Sequence, residues 1–329
     1  MLDRVGGRVL ARVADSEFRA WLLELTVSTG MTCYEARRDG HPFGIASWVL
    51  YKILGRLVAR SILAALGGRV RLVVAGGAPL SEDVARFFLG LGLPLTEGYG
   101  LTETSSAACA ARRGLYWPGT VGTPLDGVSV RLGADDEILI KSPGQMLGYW
   151  RNETQTRAAL VDGWLRTGDV GAFENGQLRI VGRLKDLIVL STGEKLSPAQ
   201  FEIAIAQDDL IATALLIGGG LSHAVALTVL DADLWREAVT ALNLPVDPSS
   251  LGRPEFEAAL LARIKARMAG APRYAEVRAV HATLDAWTVE NGLLTPTMKP
   301  KRGEIARRYA REVQAAAARA AATSHRQMD

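Results

Sequence analysis

The stretch Gly98-Tyr99-Gly100-Leu101-Thr102-Glu103 sets two glycines, a hydroxyl and a carboxylate within six residues. It begins as a dinucleotide fingerprint does, glycine-any-glycine, but carries Glu103 where the third glycine would stand. Glycines allow close approach of backbone to a ligand, Thr102 offers a hydroxyl, and Glu103 offers a hard oxygen suited to Mg²⁺. Alone, the stretch also reads as a strand-end turn with a solvated glutamate.

Three further clusters carry chemistry. In Trp164-Leu-Arg-Thr-Gly-Asp-Val-Gly171, Asp169 sits just after a glycine, where a carboxylate could accept both hydroxyls of a ribose. An aspartate in a β-turn would look the same. The run from Gly182 to Pro198 packs Arg183, Lys185 and Asp186 ahead of an apolar strand, a pattern shared with ordinary surface loops. Between Asn291 and Ile305, Lys299 precedes a proline, so its backbone is extended or looped and the amine can be presented to an anion. Lys301 and Arg302 beside it also suit a solvated basic patch.

The elements around these clusters follow from composition. Val70 to Val74 reads as a buried strand, Gly76-Gly77-Ala78-Pro79 as a turn, and Ser81 as the cap of a helix with Glu82 and Asp83 in its first turn. A second strand begins at Leu93, and this order argues for an α/β layer. From Gly119 short alternating strands take over, with Glu174-Asn175-Gly176 as a hairpin signal. Ser197-Pro198-Ala199-Gln200 reads as a capping box. Strands near 210–217, 223–230 and 275–281 and a helix over 253–269 describe a small α+β domain, followed by an Ala/Arg-rich helix that frays.

The chain has 329 residues, 48% apolar and 22% charged, with a net charge of +3. That suits two soluble domains and gives no nucleic-acid signature. No apolar run is long enough to span a bilayer, the opening residues lack a signal-peptide core, and two distant cysteines give no disulfide framework, so a reducing cytoplasm fits. The first 71 residues are more basic, with 11 Lys and Arg against six Asp and Glu. Residues 43–66 read as a helix with a basic stripe of Lys52, Arg56 and Arg60, and with Leu50, Leu54, Leu57 and Leu63 largely away from it. Such a helix can lie on an anionic membrane, at the inner face, or be a core helix with a solvated basic side.

The order and spacing of the four clusters resemble the adenylate-forming (AMP-binding) superfamily, and within it the long-chain fatty acyl-CoA synthetases. Tyr-Gly-x-Thr-Glu is met at Tyr99, Gly100, Thr102 and Glu103, Gly-Gly-Ala-Pro at Gly76 to Pro79, and Arg-Thr-Gly-Asp at Arg166 to Asp169. Gly-Arg-Leu-Lys-Asp is met at Gly182 to Asp186, Ser-x-Gly-Glu at Ser191 to Glu194, and Leu-Thr-Pro-Thr-x-Lys at Leu294 to Lys299. The resemblance implies a large domain with an α/β layer and a small barrel-like region, then a mobile α+β domain. It implies ATP or AMP, Mg²⁺ and CoA as the small molecules used. Tyr99 and Gly100 would lie near adenine, with Gly76, Gly77 and Ala78 as a pocket wall. Thr102 would touch the α-phosphate, Glu103 would hold Mg²⁺, and Asp169 would hold the ribose diol with Arg183 nearby. Lys185 would be a hinge. Ser191, Gly193, Glu194 and Lys195 would face CoA, and Lys299 would place charge where the acyl carboxylate meets phosphate.

The superfamily's Ser/Thr/Gly-rich loop ending in Pro-Lys-Gly does not occur in the sequence. The chain therefore reads as a C-terminal portion, with residues 1–184 a partial large domain, 185–312 the small domain and 313–329 a tail. The expected function is a long-chain fatty acid–CoA ligase, truncated or half of a split pair. The alternatives are an impaired adenylate-binding scaffold or an acyl-AMP ligase. An apolar face near residues 69–108 would be left open for a partner chain or for self-association.

Overall fold

The computed structural model describes residues 2, 5–7, 9, 16–42 and 44–326. The opening segment read for a leader, and the last three residues of the expected tail, lie largely outside them. The chain forms two compact units, residues 1–181 and 182–329.

In the first unit, helix α1 (Glu17–Arg38) is capped by Ser16, whose Oγ accepts from Arg19 N. Helix α2 (Ile45–Leu54) passes through a π-helical turn (Gly55–Ala59) into α3 (Arg60–Ala64). Strand β1 (Val73–Ala75), helix α4 (Glu82–Gly90) and strand β2 (Leu95–Leu101) form a βαβ unit with β1 and β2 parallel, and Ser81 caps α4 by accepting from Val84 N. Strands β3 (Ser106–Ala110) and β4 (Thr123–Pro124) extend this sheet antiparallel, in the order β1-β2-β3-β4. Phe88, Leu89, Leu93, Leu95 and Tyr116 fill the core beneath it. Where α1 crosses α4, two glycines face each other, and a Cβ on Gly30 would lie 1.8 Å from the Gly90 carbonyl oxygen.

The strand expected over Val70 to Val74 is shorter and not buried. It spans Val73–Ala75, and Val70, Leu72 and Val74 are exposed, Val74 by 63%. Helix α4 lies on one side of this parallel pair; on the other, Val74 is exposed while its β2 neighbour Thr96 is buried. Exposed apolar surface in the expected 69–108 region is therefore present.

A second sheet follows in the order β5-β6-β8-β7, from β5 (Ser129–Leu132), β6 (Glu137–Lys141), β7 (Leu160–Val161) and β8 (Trp164–Glu174). Strand β9 (Gln177–Arg183) pairs with β8 across Asn175 and Gly176, both at positive φ, as a two-residue primed turn demands. Helix α5 (Glu153–Ala159) precedes β7.

In the second unit, β10 (Ile188–Val189) and β11 (Lys195–Leu196) form a short hairpin. Helix α6 (Ala199–Ile205) follows Pro198, which occupies its cap position. Strands β12 (Ile211–Ile217), β13 (Ala224–Leu230) and β14 (Val277–Thr283) make a three-stranded sheet, antiparallel then parallel. Helix α7 (Ala232–Ala241) follows β13. Helix α8 (Pro254–Arg267) packs Phe256, Leu260 and Ile264 against one face, where Ala214, Leu216, Ala224 and Ala226 point. Helices α9 (Arg302–Arg308) and α10 (Ala310–Arg326) bury Ile305, Val313, Ala316 and Ala317 against the other, where Leu215, Val225 and Leu227 point. Covered on both faces, β13 is buried along its whole length. The segment expected as a tail from residue 313 is thus core through Ala317, because its alanines let the helix approach the sheet closely.

Candidate functional site

Residues with chemical potential collect at the end of β1 and β2. Parallel pairing places Ala75 beside Glu97, so the Gly76 turn follows directly next to Gly98, and a Cβ on Gly76 would lie 3.2 Å from the Gly98 carbonyl oxygen. Gly77 has φ +78°, the left-handed region that glycine enters freely. Ligands of open α/β sheets bind at such carboxyl ends of strands.

Gly98, Tyr99 and Gly100 do not form a turn. They lie inside β2, bulged between Tyr99 and Gly100 and paired with β3. The turn is Thr102–Thr104, closed by Ser105 at φ 60°. Thr104 Oγ1 accepts from Leu101 N at 2.9 Å and is itself buried. Thr102 is exposed and Glu103 half-buried at the apex. Tyr149 donates its O–H to Glu103 Oε1 at 2.9 Å, and Met146 N donates to the Glu103 carbonyl at 2.8 Å. Partial burial and the bond to Glu103 hold the Tyr149 hydroxyl above the usual tyrosine range.

The distance that joins the site is 2.6 Å. Tyr99 O–H donates to Asp169 Oδ2 across 70 positions of sequence. Asp169 is buried in the middle of β8, just after Gly168 at φ +68°. Glu137, buried at the start of β6, shapes the turn before it. Glu137 Oε1 accepts from Gly168 N at 3.1 Å and Oε2 accepts from Arg166 Nε at 2.9 Å. Thr167 Oγ1 donates to the Ile138 carbonyl at 2.7 Å and accepts from Asp169 N at 3.0 Å.

Sequence reasoning missed Tyr149, Glu137 and a third group, Glu97. Each sits among apolar or turn residues that give no motif. For Glu97 and Glu137 the available signal was a carboxylate at a strand position otherwise suited to the core; Tyr149, outside any strand, gave none. Glu97 is buried and accepts from Tyr116 O–H at 2.8 Å. Burial pushes its carboxyl up to about 7, against the bonds from Tyr116 and from the Leu80 backbone, which favour the ionised form. A carboxyl raised in the fold takes up a proton on folding. Its stabilisation is full below pH 4.5, the ordinary value, and is lost as the pH rises through about 7. Glu97→Gln should flatten unfolding free energy across that window by up to about 1.4 kcal/mol per pH unit. Parallel profiles for wild type and variant in urea titrations at several pH values would refute this.

Arg183, Lys185, the 191–195 loop and Lys299 belong to the second unit. Lys185 is exposed in a 3₁₀ turn, Leu184–Asp186. Ser191, Gly193 and Glu194 lie in the exposed connection of the β10–β11 hairpin and Lys195, also exposed, opens β11; the connection is closed by Gly193 at φ +91° and by Leu190 N donating to the Glu194 carbonyl at 3.0 Å. Lys299 is exposed on a tight turn. Lys299 N donates to Thr295 Oγ1 at 3.0 Å, Thr295 N donates to the Lys299 carbonyl at 2.8 Å, and Met298 has φ 63°. Arg302 is not part of a solvated patch. Its guanidinium forks onto both Glu202 carboxylate oxygens, at 2.9 and 2.7 Å, and donates to the Leu216 carbonyl, which ties the base of the Lys299 turn to the sheet.

No group of three or more His, Cys, Asp or Glu could hold a metal among the described residues. Glu103 fits a cation that takes one protein carboxylate and completes its shell with water and phosphate oxygens, as Mg²⁺ does.

Two models of one family match the chain, the AMP-binding enzyme over residues 27–150 and the AMP-binding enzyme C-terminal domain over 185–321. The chain belongs to the AMP-binding enzyme family. Long-chain-fatty-acid–CoA ligase FadD15 of Mycobacterium tuberculosis is 34% identical over 299 residues, 89% of this chain and 50% of that protein. Long-chain-fatty-acid–CoA ligase 1 of Homo sapiens is 29% identical over 324 residues, 93% of this chain and 44% of that protein. The chain spans about half the length of the curated relatives it matches. It matches the adenylation domain of a carboxylic acid reductase from Segniliparus rugosus, solved with AMP and a carboxylic acid, at 22% identity and a TM-score of 0.64 over 91% of this chain and 46% of that one. A Bacillus subtilis o-succinylbenzoate CoA synthetase, solved with its acyl-adenylate, matches at 22% identity and a TM-score of 0.57 over 75% of this chain and 49% of that one. These likenesses establish the adenylate-forming α/β fold. Among the described residues, no helix of this AMP-binding family member is long and apolar enough to cross a membrane.

Proposed function

We propose that the chain serves fatty acyl activation through an adenylate, as one part of a long-chain acyl-CoA ligase. The observation that carries this reading is the 2.6 Å bond from Tyr99 to Asp169, which sets two motif residues together beside the Gly76–Ala78 turn. In this reading Asp169 accepts the ribose hydroxyls, and Tyr99, steered by that bond, lies against adenine with Gly76, Gly77, Ala78 and Gly100. Thr102 donates to the α-phosphate. Glu103 is the protein ligand of Mg²⁺, which supplies charge neutralisation at phosphate when bound. Arg183 adds positive charge, Lys299 faces the phosphate–acyl junction, Lys185 is the hinge and Ser191 to Lys195 meet CoA.

Two half-reactions make up such an activity. In the first, a fatty carboxylate oxygen attacks the α-phosphorus of ATP and pyrophosphate leaves. In the second, the CoA thiolate attacks the acyl carbon, the acyl–phosphate bond breaks and AMP leaves. The residues named here suit the second, which needs no grip on a β,γ-diphosphate. The chain, given ready-made long-chain acyl-AMP and CoA, should release AMP and acyl-CoA above the uncatalysed rate, with little pyrophosphate formed from ATP and fatty acid. Absence of acyl-CoA above background in the first assay would end the proposal.

A further inference from the structure

Tyr149 belongs to the connection between β6 and α5, which lies against the Thr102–Thr104 turn. Three hydrogen bonds tie the two together. Met146 N donates to the Glu103 carbonyl at 2.8 Å, Ser105 Oγ donates to the Gly144 carbonyl at 2.6 Å, and Tyr149 O–H donates to Glu103 Oε1 at 2.9 Å. Only the third engages a carboxylate. Tyr149 is itself anchored from behind. Its N–H donates to Thr156 Oγ1 of α5 at 2.9 Å, and Asn152, between them, caps that helix by accepting from Gln155 N at 3.1 Å. The phenol is therefore a strut from a capped helix to the Glu103 side chain. Its neighbours Leu147 and Trp150 are left in solvent, Trp150 exposed by 87%.

A glutamate at the apex of a short turn has several rotatable bonds, and ordering it when a cation binds costs entropy. A hydrogen bond that has already ordered the carboxylate removes that cost. Tyr149 engages Oε1, and Oε2 accepts from no described residue. Carboxylates that hold metals are themselves hydrogen-bonded, and losing such a partner lowers metal affinity by roughly ten- to a hundredfold. Resting on the reading of Glu103 as the protein ligand of Mg²⁺, we propose that Tyr149 is the positioning residue of that ligand. Its phenol fixes the Glu103 carboxylate on the turn, so that the cation meets an oxygen already in place.

Mn²⁺ is a paramagnetic stand-in for Mg²⁺, and electron spin resonance reads the free ion directly. In the full chain with saturating AMP, Tyr149→Phe should weaken Mn²⁺ binding about tenfold. Its AMP affinity without metal should stay within about twofold of the wild type. Glu103→Gln should remove the Mn²⁺ binding. Ser105→Ala deletes another bond between the same connection and the same turn, and should leave Mn²⁺ affinity near that of the wild type. If Glu103→Gln lost Mn²⁺ while Tyr149→Phe held it as tightly as the wild type, this inference would fail and the metal reading would stand. An equal fall in Tyr149→Phe and Ser105→Ala would have the same consequence, since it would show only a clamp on the turn. Wild type and Glu103→Gln binding Mn²⁺ alike, or neither binding it, would overturn the metal reading and this inference together.

Discussion

Replacing Asp169 by alanine is expected to weaken AMP binding by roughly a hundredfold or more. A ribose diol offers two hydrogens, and each bond to a carboxylate is charge-assisted and stronger than a neutral one. The buried position of Asp169 raises what is at stake, since water cannot substitute for it. Tyr99→Phe removes only the steering hydroxyl and should cost about tenfold. Titration calorimetry with AMP gives both numbers, and melting curves of the variants separate lost binding from lost fold. Asp169→Asn keeps the shape and removes the charge. If both the alanine and asparagine variants bound AMP within twofold of the wild type, the ribose assignment would fail. Turnover of acyl-AMP could survive that result, so the site reading and the activity reading are judged apart.

Gly100→Ala should be among the most damaging single-atom additions in the first unit. A Cβ there would lie 2.0 Å from the Ser106 carbonyl oxygen and 2.7 Å from the Ala107 Cα. Both are backbone atoms of the paired strand, so no side chain can swing aside. Either β2 and β3 separate or the bulge at Tyr99 is remade. The expected loss is on the order of 3 kcal/mol in chemical unfolding, with AMP affinity falling as Tyr99 moves. A variant within about 0.5 kcal/mol of the wild type would show that the strands yield easily. Gly98→Ala is the milder control, because its Cβ would meet the Cys109 carbonyl at 3.2 Å.

These two residues also show what the sequence could and could not convey. The glycines at 98 and 100 were legible as positions where backbone comes close to something. Reading them as a turn for a ligand missed that the close neighbour is strand β3, because a bulged strand and a glycine turn share the same letters. The βαβ unit, the Asn175-Gly176 hairpin and the α8 helix were legible because each carries a local signal, in apolar period or turn chemistry. The bond from Tyr99 to Asp169 and the clamp by Glu137 were not, since both join segments far apart in the chain. The α2–α3 helix was legible as a helix, but not the way it faces, since Leu54 is buried while Leu50 and Leu57 are exposed. Apolar spacing gives the period of a face and leaves open whether protein covers it. Arg302 read as surface charge because its partner, Glu202, lies 100 residues away.

The sheet of the second unit has a bearing on how the chain is made. One face of β13 closes over α8, yet the other closes only when α10 arrives, close to ninety residues further along. Parallel pairing with β14 likewise waits for a long crossover. During synthesis, Val225, Leu227 and Leu215 therefore remain without their cover while the intervening residues emerge. Such distant pairings slow folding and leave an apolar sheet open to chaperones or to other nascent chains. Expression yield should depend more on the rate of elongation through residues 231–310 than on any motif of the site.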